Sequence, residues 1–310
     1  MNYYFAPMEG LTDSIYRRLH HRYFPGVDAY VMPFFSPTVH RALTKKEQRE
    51  LPPAGDVPAI PQVLTKNVED FLWLAGVCRD LGYDQIDLNV GCPSGTVVSK
   101  GKGAGMLRNP DDLDAFLWEI FNRSPLPISV KTRLGLYEVE EFPELMEVYN
   151  RYPIKLLTVH PRLREDFYKH AVRMEGFDYA LAHSKNPLCY NGNLNSLADV
   201  EAFSRHYPGI DHLMIGRGFI GDPGMLKGTQ LPALRAFHRE LLETYTQEFG
   251  SARNAMFRMK ENWRYLLLHF ENSEKLGKKL RKSTDVEDYK RITEEIFDTL
   301  PFRSSLTPDW

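Results

Sequence analysis

Cys92 lies in the stretch DLNVGCPSGTVVSKGKGAGM, residues 87–106, where an apolar run ends, a proline follows, and glycines and lysines take over. A thiol at such a junction can hold a proton, attack an electrophile, or fill a small buried space. Other groups with chemical capacity stand at similar junctions. In chain order, the ends of short apolar runs carry Pro7-Met8-Glu9, Gln62, Asn89 with Cys92, Lys131 with Arg133, His160 with Arg162, Asn191-Gly192-Asn193, and Gly216-Arg217-Gly218. Singly, each has a plain structural explanation: an ion pair for Lys131, a satisfied core imidazole for His160, a turn for Asn191-Gly192. As a set they ask for more, because burying polar groups is costly unless they are paired or used. The last two clusters are glycine-bearing turns whose backbone N–H groups can cradle an anion, with Arg217 adding charge. A cofactor with one phosphate is therefore expected. The GKGAG run at 101–105 lacks the strand-to-helix context of a dinucleotide fingerprint and carries little weight as one. Cys78 and Cys189 fall on a helix face and inside an apolar run, as small buried hydrophobes do.

The elements that must position these groups are legible from periodicity. Apolar runs recur at 3–8, 29–35, 58–64, 85–90, 127–134, 156–162, 187–192 and 212–218. Most are nearly continuous, as in parallel strands covered on both faces. Helical patterns lie between them. Residues 67–81 put Phe71, Leu74, Ala75 and Cys78 on one face; Asn109-Pro110 opens another helix, and Ser196 with Asp199 caps a third. Eight such repeats predict a (β/α)8 TIM barrel with its active groups at the carboxyl ends of the strands. Residues 36–57, charged and proline-bearing, read as an irregular connection. After about residue 232 the strand signals stop and 3.6-residue periodicity takes over. Two domains are expected: a catalytic barrel, 1–230, and a small all-α helical domain, 231–310.

Composition limits the alternatives. The 310-residue chain is 43% hydrophobic and 26% charged, which is ordinary for a soluble globular protein. No stretch approaches the ~20 apolar residues of a membrane span, and the N-terminus lacks the basic-then-apolar pattern of a secretory signal. Three widely spaced cysteines form neither a disulfide framework nor a metal site, which points to a reducing cytoplasm. With a net charge of −2, any nucleic-acid surface must be local. The candidate is in the tail. Residues 275–282, KLGKKLRK, carry five cations and no acid, and Arg258, Lys260 and Arg264 fall on one or two helical faces.

The elements DLNVGCP, SVKTRLG, TVHPR, YNGN and MIGRG, with APMEG at the start, resemble the tRNA-dihydrouridine synthases from Tyr4 to about Gly221. The helical tail has the size of that family's RNA-binding domain. The resemblance implies a flavin enzyme that uses FMN and NADPH to reduce the C5=C6 bond of a specific uridine in tRNA. It implies that Pro7, Met8 and Glu9 line the flavin, with Gln62 and Lys131 binding its ring. Asn191, Gly192, Asn193, Gly216 and Arg217 would hold the phosphate. Asn89, Arg133, His160 and Arg162 would meet uracil or flavin. Two positions depart from the family pattern. Asn193 stands where an acid is usual, and His160-Pro161-Arg162-Leu163 replaces His-Gly-Arg-Thr. A proline there removes a backbone donor.

That chemistry accounts for the thiol. Hydride delivered to uracil C6 builds charge at C5 and O4, and a proton must reach C5 from the opposite face. A free thiol, pKa ≈ 8.5, is roughly 97% protonated at pH 7, whereas an imidazole at ≈ 6.5 holds its extra proton about a quarter of the time. Cys92 is the expected acid, Lys131 would steady the anionic reduced ring, and the glycines after Cys92 would let its loop open and close. A base stacked inside tRNA must be extruded to reach the site. Lys100 and Lys102 would meet phosphate there, while Arg258, Lys260, Lys278 and Lys279 hold the RNA. Expected partners are tRNA and NADPH, with no membrane and no metal, for a monomeric cytoplasmic chain. Two rivals are a flavin barrel acting on a free pyrimidine or other small molecule, and an RNA-binding protein without redox chemistry. A free base needs no helical tail.

Overall fold

A computed structural model describes residues 1–55 and 57–308. Each apolar run contains a strand: β1 (Asn2–Phe5), β2 (Ala29–Val31), β3 (Ala59–Ile60), β4 (Gln62–Val63), β5 (Ile86–Val90), β6 (Ile128–Gly135), β7 (Leu157–Leu163), β8 (Leu188–Tyr190) and β9 (His212–Ile215). The third run yields two strands because Pro61 interrupts it with a residue that has no N–H to donate. Its carbonyl still serves, accepting from the Asp87 N–H at 2.8 Å. The strand order is β3-β2-β1-β9-β8-β7-β6-β5-β4, with parallel pairing. The two ends of that order are halves of one run, so the sheet closes on itself as a (β/α)8 TIM barrel.

Strand register explains which side chains meet. Asp87 pairs with Ser129, Asn89 with Lys131, Lys131 with Thr158, and Arg133 with His160. Residues two apart share a face of the sheet. Ile86, Leu88, Val90, Val130, Leu157 and Val159 fall on the other parity and are buried. The strands are therefore not uniformly apolar, as their sequence suggests; the second parity is polar along the length of β5, β6 and β7. Ala6, Val31, Ile60, Leu156, Cys189 and Met214 pack as an apolar cluster. Burial there pushes the Cys189 thiol up to about 12.

The predicted helix starts hold. Val68–Asp80 buries Phe71, Leu74, Ala75 and Cys78. Asn109 accepts from the Asp111 and Asp112 N–H groups at the head of Pro110–Arg123, and Ser196 and Asp199 cap Leu197–His206 reciprocally. The 36–57 connection is less irregular than expected, since Lys45–Glu50 is a helix with its own Thr44–Glu47 capping box. Pro161 is accommodated within β7 by a register shift. Between Arg133 and Gly135 on β6, β7 advances from His160 to Leu163, one residue more. A bulge is where a strand tolerates a missing donor.

The C-terminal segment is helical: Leu231–Phe249, Ala252–Leu266, Glu274–Lys282 and Val286–Thr299. By packing, the chain divides into two compact units. One comprises Met1–Pro7, Asp28–Asn193 and Pro208–Met214; the other comprises Met8–Val27, Leu194–Tyr207 and the chain from Ile215 onward. Inside the second, the Trp263 Nε1–H donates to His238 Nε2 and to the Tyr289 hydroxyl, each at 3.0 Å. Asp13 caps Ser14–Tyr23 by accepting from the Tyr16 N–H at 2.9 Å. The same carboxylate takes Arg258 Nη2 at 2.5 Å and the Tyr245 hydroxyl at 2.9 Å.

Burial pushes both His20 and His238 down to about 3. Below pH 6.5 the unfolded chain binds protons at these imidazoles and the folded chain does not, so stability is lost as pH falls. Between pH 6.5 and 5 each should cost roughly 2 kcal/mol. Their ring signals in NMR should not titrate between pH 8 and 5. A midpoint near 6.5 for either would mean that it is not held neutral by its surroundings.

Candidate active site

A line of hydrogen bonds runs from the barrel interior to the thiol. Asp87, 2% exposed, accepts from Ser129 Oγ at 2.7 Å and from Gln62 Nε2 at 2.7 Å. Burial raises its carboxyl to about 6, against the opposing pull of Ser129, Gln62 and Lys131. Gln62 Oε1 accepts from Asn89 Nδ2 at 2.8 Å. Asn89 Oδ1 then accepts the backbone N–H groups of Gly91 at 3.0 Å and Cys92 at 2.9 Å. Each member fixes the orientation of the next. Asp87 takes the Gln62 NH2 group, which forces its oxygen toward Asn89 and the Asn89 oxygen toward the Cys92 turn. One N–H on each of Gln62 and Asn89 remains beyond these bonds. Cys92 itself is half-buried and free of any disulfide.

Lys131 pairs in register with Asn89. Burial lowers its ammonium to about 8, aided by the Arg133 charge and opposed by Asp87. Among the described residues it has no ion pair and no hydrogen bond. Arg133, 1% exposed, is held through Nε and Nη1. Its Nε donates to the Gly91 carbonyl at 2.8 Å, and its Nη1 donates to the carbonyls of Leu163 at 3.0 Å and Phe167 at 3.2 Å. Tyr168 stands 5.5 Å over the same guanidinium. Arg133 thus ties the Cys92 turn to the segment after β7.

His160 and Arg162 act as a pair. Arg162 Nη1 lies 2.8 Å from His160 Nε2. A guanidinium has only protons to give, so Nε2 accepts and the imidazole proton sits on Nδ1. Arg162 also donates from Nε to the His170 carbonyl at 2.7 Å and from Nη2 to Asn193 Oδ1 at 2.9 Å. Asn193, where an acid was the family expectation, thus still supplies an acceptor. Asn191 donates from Nδ2 to the Met214 carbonyl at 2.8 Å, and a Cβ on Gly192 would fall 2.5 Å from the Tyr190 hydroxyl.

Two of the glycines after Cys92 have a packing role besides the loop freedom the sequence suggests. Gly103 has φ +55°, and a Cβ there would lie 2.9 Å from the Cys92 carbonyl oxygen. A Cβ on Gly105 would lie 2.8 Å from the Val98 carbonyl oxygen. They allow 103–108 to pack tightly behind the thiol, where the Ala104 N–H donates to Cys92 O at 3.1 Å. Lys102 donates to Ser36 Oγ at 3.0 Å, while Lys100 is exposed.

Of the remaining candidates, Pro7 follows β1 and is half-buried. In the second unit, Met8 is half-buried with its N–H on Thr12 Oγ1 at 3.0 Å, and Glu9 is exposed. Gly216 and Arg217 open the short helix Arg217–Gly221; at Gly218 a Cβ would meet the Leu194 carbonyl oxygen at 2.5 Å. Arg258 is taken up by Asp13, and Lys260 donates to the Ser283 carbonyl at 2.6 Å. Although burial works against its charge, Tyr245 and Asp13 hold Arg258 above the ordinary arginine value. Lys278 and Lys279 are exposed on Glu274–Lys282.

Sequence reasoning missed Asp87, Ser129 and Tyr168. Asp87 had a signal, since it lies two residues before Asn89 and so shares its face. Tyr168 had none. The donor set suits a planar ring edge rich in carbonyl and imine acceptors: an unpartnered lysine ammonium and amide N–H groups, with the Asp87 carboxylate occupied internally. A flavin ring edge has that chemistry.

Among solved structures, the chain is similar to morphinone reductase in complex with tetrahydroNAD. The TM-score is 0.51 at 10% identity, over 73% of this chain and 85% of that one. A second morphinone reductase structure gives 0.52 at 12% identity, over 72% and 84%. At such identity the likeness shows the barrel fold. The family model for dihydrouridine synthases matches residues 4–299. Two relatives, each named as a probable tRNA-dihydrouridine synthase, come from Staphylococcus epidermidis and Rhizobium leguminosarum bv. phaseoli. The first is 27% identical over 265 residues, covering 78% of both chains. The second is 29% identical over 231 residues, covering 73% of this chain and 72% of the relative. Fold and family together define a flavin-dependent barrel oxidoreductase. The chain belongs to the dihydrouridine synthase family. No described helix is long and apolar enough to cross a membrane, and no metal-ligating group of three occurs among the described residues.

Proposed function

We propose that this chain reduces the C5=C6 bond of a uridine in tRNA, with FMN as its flavin and NADPH as reductant. Residues 1–230 carry the chemistry and 231–310 hold the RNA. When bound, FMN supplies the hydride that reaches uracil C6. Cys92 then gives its thiol proton to C5, and the thiolate is reprotonated from solvent before the next turnover. The observation that carries this reading is the half-buried Cys92, whose backbone is fixed by Asn89 beside an unpartnered Lys131. The rival acid is disfavoured, because His160 Nε2 accepts from a permanent cation and the one ring proton, on Nδ1, belongs to a neutral imidazole. Lys131, with the spare N–H groups of Gln62 and Asn89, would bind the ring edge. Asn191, Gly192, Asn193, Gly216 and Arg217 would serve the phosphate, and Pro7, Met8 and Glu9 would border the ring. Arg162 and Arg133 would act near the substrate by positioning, since both spend their protons on protein acceptors.

The deciding experiment is to incubate the purified yellow protein with unmodified tRNA and NADPH and to map dihydrouridine. Product at one or a few positions is expected. If free uracil or uridine is reduced as fast as tRNA, the small-molecule rival wins instead. For the RNA surface, Lys278→Ala should weaken tRNA binding uniformly and lower the slope of log K against log salt by about 1. An unchanged slope would remove that helix from the interface.

A further inference from the structure

Arg253, Phe257, Lys260 and Arg264 follow one another at spacings of four, three and four along the helix Ala252–Leu266, so they form one stripe. Phe257 is 43% exposed. Its ring is framed by cations: the Arg253 guanidinium carbon is 5.7 Å from the ring centroid and Lys260 Nζ is 5.3 Å from it. Lys260 also donates to the carbonyl of Ser283, which ends Glu274–Lys282. That bond brings the stripe against the end of the helix bearing exposed Lys278 and Lys279.

Among the described residues, no carboxylate pairs with Arg253, Arg264, Lys278 or Lys279. The neighbouring helix differs: Lys290 pairs with Glu287, Arg291 with Asp288, and Arg235 with Asp298. A ring left open between unpaired cations suits a partner that is both flat and anionic. A second copy of the chain would bring the same positive charge against it. A nucleotide has a flat base and a phosphate, and aromatic rings stack on any base whose face is exposed. The contacts of Arg253 and Lys260 with the ring are weak ones that a stacking base can replace.

We propose that Phe257 is a stacking platform for one unstacked base of the RNA, with Arg253 and Arg264 on the adjoining phosphates. This rests on the tRNA reading above and adds to it an aromatic contact and the class of nucleotide it takes: one in a loop or at a bulge, not one inside a duplex.

Anisotropy titrations with an unmodified tRNA transcript, and with a blunt RNA duplex as comparison, test it. Phe257→Ala should weaken tRNA binding roughly tenfold with the salt slope unchanged, and should barely affect duplex binding. Phe257→Trp, which keeps a ring, should restore affinity and so separates lost stacking from lost fold. Arg253→Ala should instead lower the salt slope by about 1. Parent affinity in Phe257→Ala, or an equal loss for duplex, would overturn the platform while leaving tRNA as substrate. A self-associating parent made monomeric by Phe257→Ala would overturn it in favour of a dimer contact. No tRNA binding by the parent would remove the tRNA reading itself.

Discussion

Replacing Cys92 with alanine should leave flavin reduction by NADPH at the parent rate and slow uridine reduction by about 10²-fold or more, the usual worth of a positioned proton donor. The two half-reactions depend on different parts of the chain. On the proposed function, reduction of the flavin needs only the ring edge, where Lys131 would stand. Saturating uracil needs a proton at C5, and the geometry offers few sources. His160 Nε2 is an acceptor for Arg162, the Asp87 carboxylate is enclosed by Gln62 and Ser129, and Lys131 is expected at the flavin. Stopped-flow traces, following flavin reduction by NADPH and then its reoxidation by tRNA, separate the steps. Equal slowing of both would mean that Cys92 holds the cofactor rather than the proton. Reoxidation at the parent rate would remove it from the reaction.

The second large effect falls on a residue that need not touch the reacting atoms. Asn89→Ala deletes the oxygen that holds the Gly91 and Cys92 N–H groups and the N–H that satisfies Gln62. Leaving buried polar groups unmet costs about 1–3 kcal/mol each. A turn released by even ~1 Å can cost about 10²-fold in rate. We therefore expect kcat for uridine reduction to fall near that amount, with KM for tRNA little changed and the melting temperature lower. Gln62→Ala, one step further from the thiol, should show the same pattern with a smaller fall. A rise in KM with kcat intact would show that Asn89 binds substrate and does not position the thiol.

Much of this was written plainly in the chain. The runs at 85–90 and 127–134 contain β5 and β6, and the caps at Asn109 and Ser196 are where their side-chain chemistry puts them. Pro61 was visible too, but its effect was not: a missing donor in mid-run splits one strand into two. The parity of the strands was harder to read. Asp87 and Asn89 alternate with Ile86, Leu88 and Val90 in a pattern that looks continuous, because only two polar residues fall within so short a strand. Partners distant in sequence left no local signal. Nothing near Arg258 announces Asp13, some 245 positions away, so the ion pair has no signal in the local sequence. Nothing near Cys92 announces that Gly103 and Gly105 are closely packed against backbone.

The Asp13 carboxylate therefore links Arg258, the Tyr245 hydroxyl and the start of a helix through one group. Removing either charge strands the other in a site where both are 17% exposed. In evolutionary terms, positions 13 and 258 form a single character: relatives should keep both charges or lose both together. A variant altered only at 258 leaves the Asp13 carboxylate without its cation, so a fall in RNA affinity there would report lost packing as well as any lost contact.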